Sequence, residues 1–251
     1  MAKNKRLTRI TAGRLVRICV SSQVSRSDTP RQRAAKTKIS TAARVKLNDR
    51  KRWEALEEIM ACNFDRGDLF VTLTYSNAPR TREGAMERLN TFLRRLRAAR
   101  QARGASLRYI KNAEHLRDDG TEGRWHHHLI INGTGKDYEE IREIWSTWGD
   151  NVDFEGLLSN GESYETRARY MCKERPPAGR QCWTGSRGLR RPQRTTELVD
   201  ETLTITIDSL PAGAVVLEKY EEHNEWGEFS FFKFLLLWRE PEPDLHRRRG
   251  D

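Results

Sequence analysis

Three of the six histidines in this 251-residue chain stand together in Trp125-His126-His127-His128-Leu129-Ile130-Ile131. Side chains alternate along a strand, so His126 and His128 share one face and His127 points to the other. Two imidazoles about 7 Å apart on one strand face can grip a divalent ion. A plainer alternative is a strand with one polar face. Pairing through a turn centred near Gly120 would bring the preceding segment alongside, with Glu114 opposite His126 and Asn112 opposite His128. Glu114 then supplies a carboxylate third ligand. Such a nitrogen and oxygen set, free of thiolate, suits Mg2+ or Mn2+ acting on phosphate, and also zinc. A slip of one residue would turn Glu114 to the far face and bring in His115 instead.

A second group is Arg169-Tyr170-Met171-Cys172-Lys173. On a helix Tyr170 and Lys173 share one face at spacing i, i+3. A phenol has a pKa near 10, so only about one in a thousand is ionised at neutral pH. A tyrosine nucleophile therefore needs a nearby cation, and Lys173 is spaced to provide one. The alternative is an amphipathic helix with an ordinary buried tyrosine. Tyr164 lies six residues earlier and does not quite share that face, so a one-tyrosine site is expected.

These residues need a scaffold. Apolar periodicity predicts helices over 40–62, 82–103, 138–148 and 163–173, the last ending before Pro176 and Pro177. Leu69 to Tyr75 is rich in β-branched and aromatic residues and reads as a central strand. Strands are also expected over 106–116, 124–132, 203–207, 215–221 and 228–237. Helices on an antiparallel sheet make an α+β domain. The expected organisation is a basic, partly disordered segment over 1–38, a core over 39–194, C-terminal strands over 195–240 packed on that core, and a flexible tail over 241–251.

Charge narrows the partners. Sixteen Lys and Arg against Asp28 and Asp49 leave residues 1–52 at +14, while the whole chain carries +10. Such a cluster attracts a polyanion, nucleic acid above all. Arg175, Arg180, Arg187, Arg190 and Arg191 crowd the loop after the tyrosine helix, where they would clamp phosphates or simply be solvated. The arginine face of the 82–103 helix is a further candidate. No membrane-length apolar run and no signal-peptide core are present, so a cytoplasmic protein is expected. The four cysteines are scattered and read as reduced thiols. No phosphate loop of the G-x-x-x-x-G-K-[ST] kind occurs.

Taken in order, Phe70-Val71-Thr72-Leu73-Thr74-Tyr75, His126-His127-His128-Leu129 and Tyr170-Met171-Cys172-Lys173 resemble three successive motifs of rolling-circle replication initiators, the HUH endonucleases. Those motifs are an F-x-T-L-T strand, an H-U-H strand with U hydrophobic, and a Y-x-x-K helix. The likeness is to replication-associated proteins of small phages and bacterial mobile elements, the branch that includes the filamentous phage gene-two nickase. It runs from about Ser40 to Pro192, and Trp183 to Leu189 resembles the serine-arginine segment these proteins often carry.

The resemblance implies an RRM-like antiparallel sheet with His126 and His128 as metal ligands on its central strand and Glu114 as the third ligand. It implies Tyr170 as nucleophile, Lys173 as its electrostatic helper, and Thr72 and Thr74 as structural neighbours. The implied activity is nicking of single-stranded DNA at a replication origin through a 5′-phosphotyrosyl link, with a separate host helicase. Two positions depart from the pattern: His127 stands where a bulky apolar residue is usual, and Trp125 where proline is common. Rival readings are a single-tyrosine HUH transposase, a relaxase, or a non-catalytic nucleic-acid binder. The last would need exposed aromatics on the central strands, where Phe70 and Tyr75 have opposite parity.

Overall fold

The computed structural model describes residues 5–22, 42–116, 121–158, 163–174, 181–224 and 227–236. Arg175 and Arg180, the 117–120 turn and the 241–251 tail lie outside them. The chain divides into two compact units, residues 39–191 and residues 1–38 with 192–251.

The 39–191 unit is a five-stranded antiparallel sheet in the order β6-β3-β5-β4-β7, with β5 in the middle. Its strands are β3 (Leu69–Thr74), β4 (Tyr109–Leu116), β5 (Glu122–Ile131), β6 (Asn151–Gly156) and the two-residue β7 (Thr184–Gly185). Four α-helices occur among the described residues: α1 (Ala42–Asn63), α2 (Arg82–Ala102), α3 (Asp137–Trp145) and α4 (Glu165–Met171). The result is an α+β fold, as the periodicity predicts, and an RRM-like one, as the resemblance implies.

Alternation on β3 decides which helices cover which face. Leu69, Val71 and Leu73 point to one side, where Leu89, Phe92 and Leu96 of α2 and Ile141 and Trp145 of α3 join them in a core. Phe70 points to the other, where Trp53, Leu56, Ile59 and Met60 of α1 meet Ala168 and Met171 of α4. Burying each large apolar side chain contributes about 1.5–3 kcal/mol, so each helix pair is fastened mainly by its apolar stripe. Thr81 caps α2 by accepting from Gly84 N at 3.2 Å, and Gly104, at φ +74°, ends it in the left-handed conformation that glycine adopts freely.

The arginines of α2 do not all face solvent. Arg100 is fully buried and ion-paired to Asp137 at 2.5 Å, with Asn132 Oδ1 at 3.0 Å. Arg103 pairs with Glu140 at 2.5 Å, while Arg94 and Arg97 stay exposed.

The second unit corrects the expected organisation. β1 (Lys5–Ala12) and β2 (Leu15–Ser22) are strands, of which the sequence shows only a short strand-like run over 15–20, and they join β8 (Gln193–Val199), β9 (Val215–Asn224) and β10 (Gly227–Leu235) in a separate sheet, order β8-β1-β2-β10-β9. The C-terminal strands therefore build a sheet with the N-terminal pair and belong with it to a second compact unit, rather than to the 39–191 unit. Val16, Ile18, Val20, Phe232 and Phe234 form its core. The strand expected over 203–207 is absent: Thr206 and Ser209 hydrogen-bond each other's backbone and close a 3-10 turn at Ile207–Ser209, which takes those groups out of any ladder. β6, β7 and β8 were not expected from the sequence. Among the described residues no helix is long and apolar enough to cross a membrane.

Candidate metal centre and tyrosine helix

The strand register brings the three expected ligands together. β4 pairs with β5 so that Glu114 lies opposite His126 and Asn112 opposite His128, and the ladder turns irregular just beyond, between Glu114 and Leu116. Such irregularities re-aim side chains next to functional sites. His115, the alternative under a one-residue slip, instead stacks on Trp125 with ring centroids 4.5 Å apart.

Glu114 is the hub. Its Oε1 lies 3.4 Å from His126 Nε2 and its Oε2 lies 3.2 Å from His128 Nε2. One donor atom from each of Glu114, His126 and His128 can be chosen so that all lie within 4.8 Å of one another, a group able to hold a metal ion. Two observations test the fit. Glu114 Oε2 and His128 Nε2 are buried atoms with no hydrogen-bond partner, a costly arrangement that a cation between them would relieve. His126 Nδ1 lies 3.0 Å from the Arg124 carbonyl; a carbonyl only accepts, so Nδ1 carries the proton and the neutral ring offers Nε2 as a lone pair. The donor set fits a divalent ion and contains no thiolate.

The electrostatics favour the ligand forms of Glu114 and His128 and pull the metal-free His126 the other way. Burial alone would raise the Glu114 carboxyl, but the pull of His126, His128 and Lys173 outweighs it and holds Glu114 well below the usual carboxylate range. Burial depresses His128 and so favours its neutral form. Burial also opposes the charge on His126, yet Glu114 and the Arg124 carbonyl win and raise it.

Helix α4 brings the tyrosine over this cluster. The Tyr170 ring meets His128 edge-to-face at 4.9 Å and Phe70 at 6.1 Å, and Phe70 in turn stacks on His128 at 5.4 Å. Lys173 Nζ sits 2.6 Å from Glu114 Oε1 and 4.4 Å from the Tyr170 ring centre. Two ties on either side of Lys173 hold the end of α4 to β4. Asn112 Nδ2 donates to Met171 O at 2.8 Å, and Glu174 accepts from the backbone of His115 and Leu116 at 2.9 and 2.6 Å. Glu114, His126, Tyr170, Lys173, Arg124, Leu116 and Gly123 line one pocket of about 370 Å³. Tyr170 is 37% exposed and so within reach of a ligand. Tyr164 is buried, with its hydroxyl donating to the Phe64 carbonyl.

Several contributors were not foreseen. Thr72 Oγ1 lies 3.1 Å from His128 Nδ1. His127 points to the opposite face, as strand alternation predicts, but its partner there was not expected: its Nε2 lies 2.7 Å from the Tyr75 hydroxyl. Cys172 and Cys182 show no paired spacing, yet their sulfurs lie 3.2 Å apart as free thiols. Packing beyond the local chain brings such pairs together, so no local spacing announces them. Of the loop arginines, Arg187, Arg190 and Arg191 are exposed and outside the pocket lining.

A histidine pair on the middle strand of an RRM-like sheet, a carboxylate on the next strand, and above them a tyrosine on a helix that Lys173 follows are consistent with an HUH-type fold. Residues 68–175 match the family model of the replication-associated protein ORF2/gene-two protein, in accord with the resemblance carried by the three motifs. No curated protein and no solved structure matches the chain.

Proposed function

We propose that this protein is a metal-dependent DNA nickase and strand transferase that initiates rolling-circle replication. The observation that carries the reading is the convergence of Glu114, His126, Tyr170 and Lys173 on one pocket, with His128 against the tyrosine ring. The match to a replication-associated family supports the process.

His126, His128 and Glu114 would hold Mg2+ or Mn2+, which when bound polarises a non-bridging phosphate oxygen and fixes the phosphate's position. The Tyr170 phenol oxygen attacks phosphorus in line. The bond to the 3′ oxygen breaks, that oxygen takes up a proton as the phenol loses one, and a 5′-phosphotyrosyl link forms. One phosphodiester replaces another, so the strand can be rejoined without ATP. Lys173 stabilises the negative charge that builds on the phenol oxygen and phosphate. Arg124 lines the same pocket, and its guanidinium donates to the carbonyls of Tyr75 and Ser76 at 3.1 and 2.7 Å, with no carboxylate partner among the described residues. Its charge is therefore available to a neighbouring backbone phosphate. Unwinding falls to a separate helicase supplied by the host.

The non-catalytic alternative is disfavoured by burial. Phe70 and Tyr75 are each 2% exposed and cannot stack on bases. A supercoiled plasmid bearing the cognate origin separates the remaining readings. Nicking that depends on Mn2+ and on Tyr170, with support of replication, is expected; excision of a DNA segment would instead identify a transposase.

A further inference from the structure

Lys173 does two things at once. Its ammonium grips Glu114 Oε1 at 2.6 Å, and it stands 4.4 Å from the centre of the Tyr170 ring. The carboxylate it grips is the one that faces His126 and His128. We infer that Lys173 and the divalent ion compete for Glu114, so that Lys173 weakens metal binding and ion binding hands the ammonium to the tyrosine and its phosphate. This rests on the metal reading above.

The argument is electrostatic and then thermodynamic. A carboxylate oxygen already neutralised by an ammonium is a poorer ligand, and two cations a few ångströms apart repel each other strongly where water is scarce. Glu114 is 2% exposed, so the repulsion is little screened. Linkage is reciprocal: whatever factor Lys173 costs the ion, the ion costs the Lys173–Glu114 pair. Lys173 is suited to the exchange because lysine is a compact charge on a flexible stem, and its side chain is 28% exposed, with room to swing. Lys173 follows directly on the end of α4, and its backbone N–H donates to the Tyr170 carbonyl at 3.2 Å, which keeps it beside the tyrosine. Loading of the site and activation of the nucleophile become one event.

The test is the Mn2+ dissociation constant of the full-length protein, read by calorimetry or by the electron-paramagnetic-resonance signal of free Mn2+. Lys173→Met and Lys173→Gln should each bind Mn2+ roughly tenfold more tightly than wild type, within the range usual for coupled sites. Lys173→Arg, which keeps the charge, should stay within about twofold. Unchanged or weaker binding in both Met and Gln variants, with native circular dichroism, overturns the competition while leaving the metal site standing. Failure of the wild type itself to bind Mn2+ overturns the metal reading and this inference with it.

Discussion

Glu114 shows how a single side chain can be legible in type and position but not in its full role. Its place opposite His126 is the one that pairing through a turn near Gly120 predicts, and the observed register selects it over the one-residue slip. Its ion pair with Lys173 does not follow, because nothing local relates β4 to the end of α4. Thr72 is similar. The motif resemblance marks it only as structural, whereas its hydroxyl sits 3.1 Å from His128 Nδ1. For His128 Nε2 to serve as a ligand, Nδ1 must carry the proton and Thr72 must accept it. Partners of this kind are worth about 10–100-fold in metal affinity. Thr72→Val, which keeps the branched shape, should therefore weaken Mn2+ binding at least about tenfold with little change in melting temperature; unaltered affinity would remove Thr72 from the site.

The elements that hold these residues were predicted where periodicity is strong and missed where it is weak. α2 and the β3 strand carry continuous apolar patterns, and their expected and observed ranges nearly coincide. β6 offers only Val152 and Phe154 among acidic and polar neighbours, and β8 is almost wholly exposed, so neither announces itself by hydrophobic alternation. Helix α4 spans only seven residues, too short to hold its place by helical propensity. Its position depends on packing and on the Asn112 bond to the Met171 carbonyl. Asn112→Ala leaves that buried carbonyl unpaired at a cost of about 1–3 kcal/mol. The expected outcome is slower strand cleavage, kcat falling more than KM rises, with Mn2+ affinity retained because the strand ligands are untouched. Loss of Mn2+ binding in equal measure would show that the helix and the ligands are not separable in this way.

Considered as a molecule, the chain misled most at its ends. The basic segment over residues 1–38 reads as partly disordered, with only a short strand-like run over 15–20, yet β1 and β2 are central to a sheet whose other strands come from the far end of the sequence. Pairing across about 200 residues leaves no local trace. Global stability offers a separate check on the site-bearing unit. His127 is fully buried, and burial pushes its pKa from 6.5 to about 3. Between those values the unfolded chain holds the extra proton, so stability rises with pH across the window and is lost as pH falls below about 6.5, at about 1.4 kcal/mol per pH unit. His128 shifts in the same direction and His126 in the opposite one, so the informative quantity is a difference. In thermal melts with chelator present, His127→Leu should show a shallower decline than wild type from pH 6.5 to 4.5. Parallel curves would contradict the burial account.

The Tyr170 phenol oxygen is the atom on which nicking depends. Full-length protein incubated with Mn2+ and single-stranded origin DNA, then denatured and digested, should yield a peptide carrying a 5′-phosphonucleotide on Tyr170, and Tyr170→Phe should yield none while still binding Mn2+. An adduct on another residue, or cleavage with a free 5′-phosphate and no adduct, would contradict it.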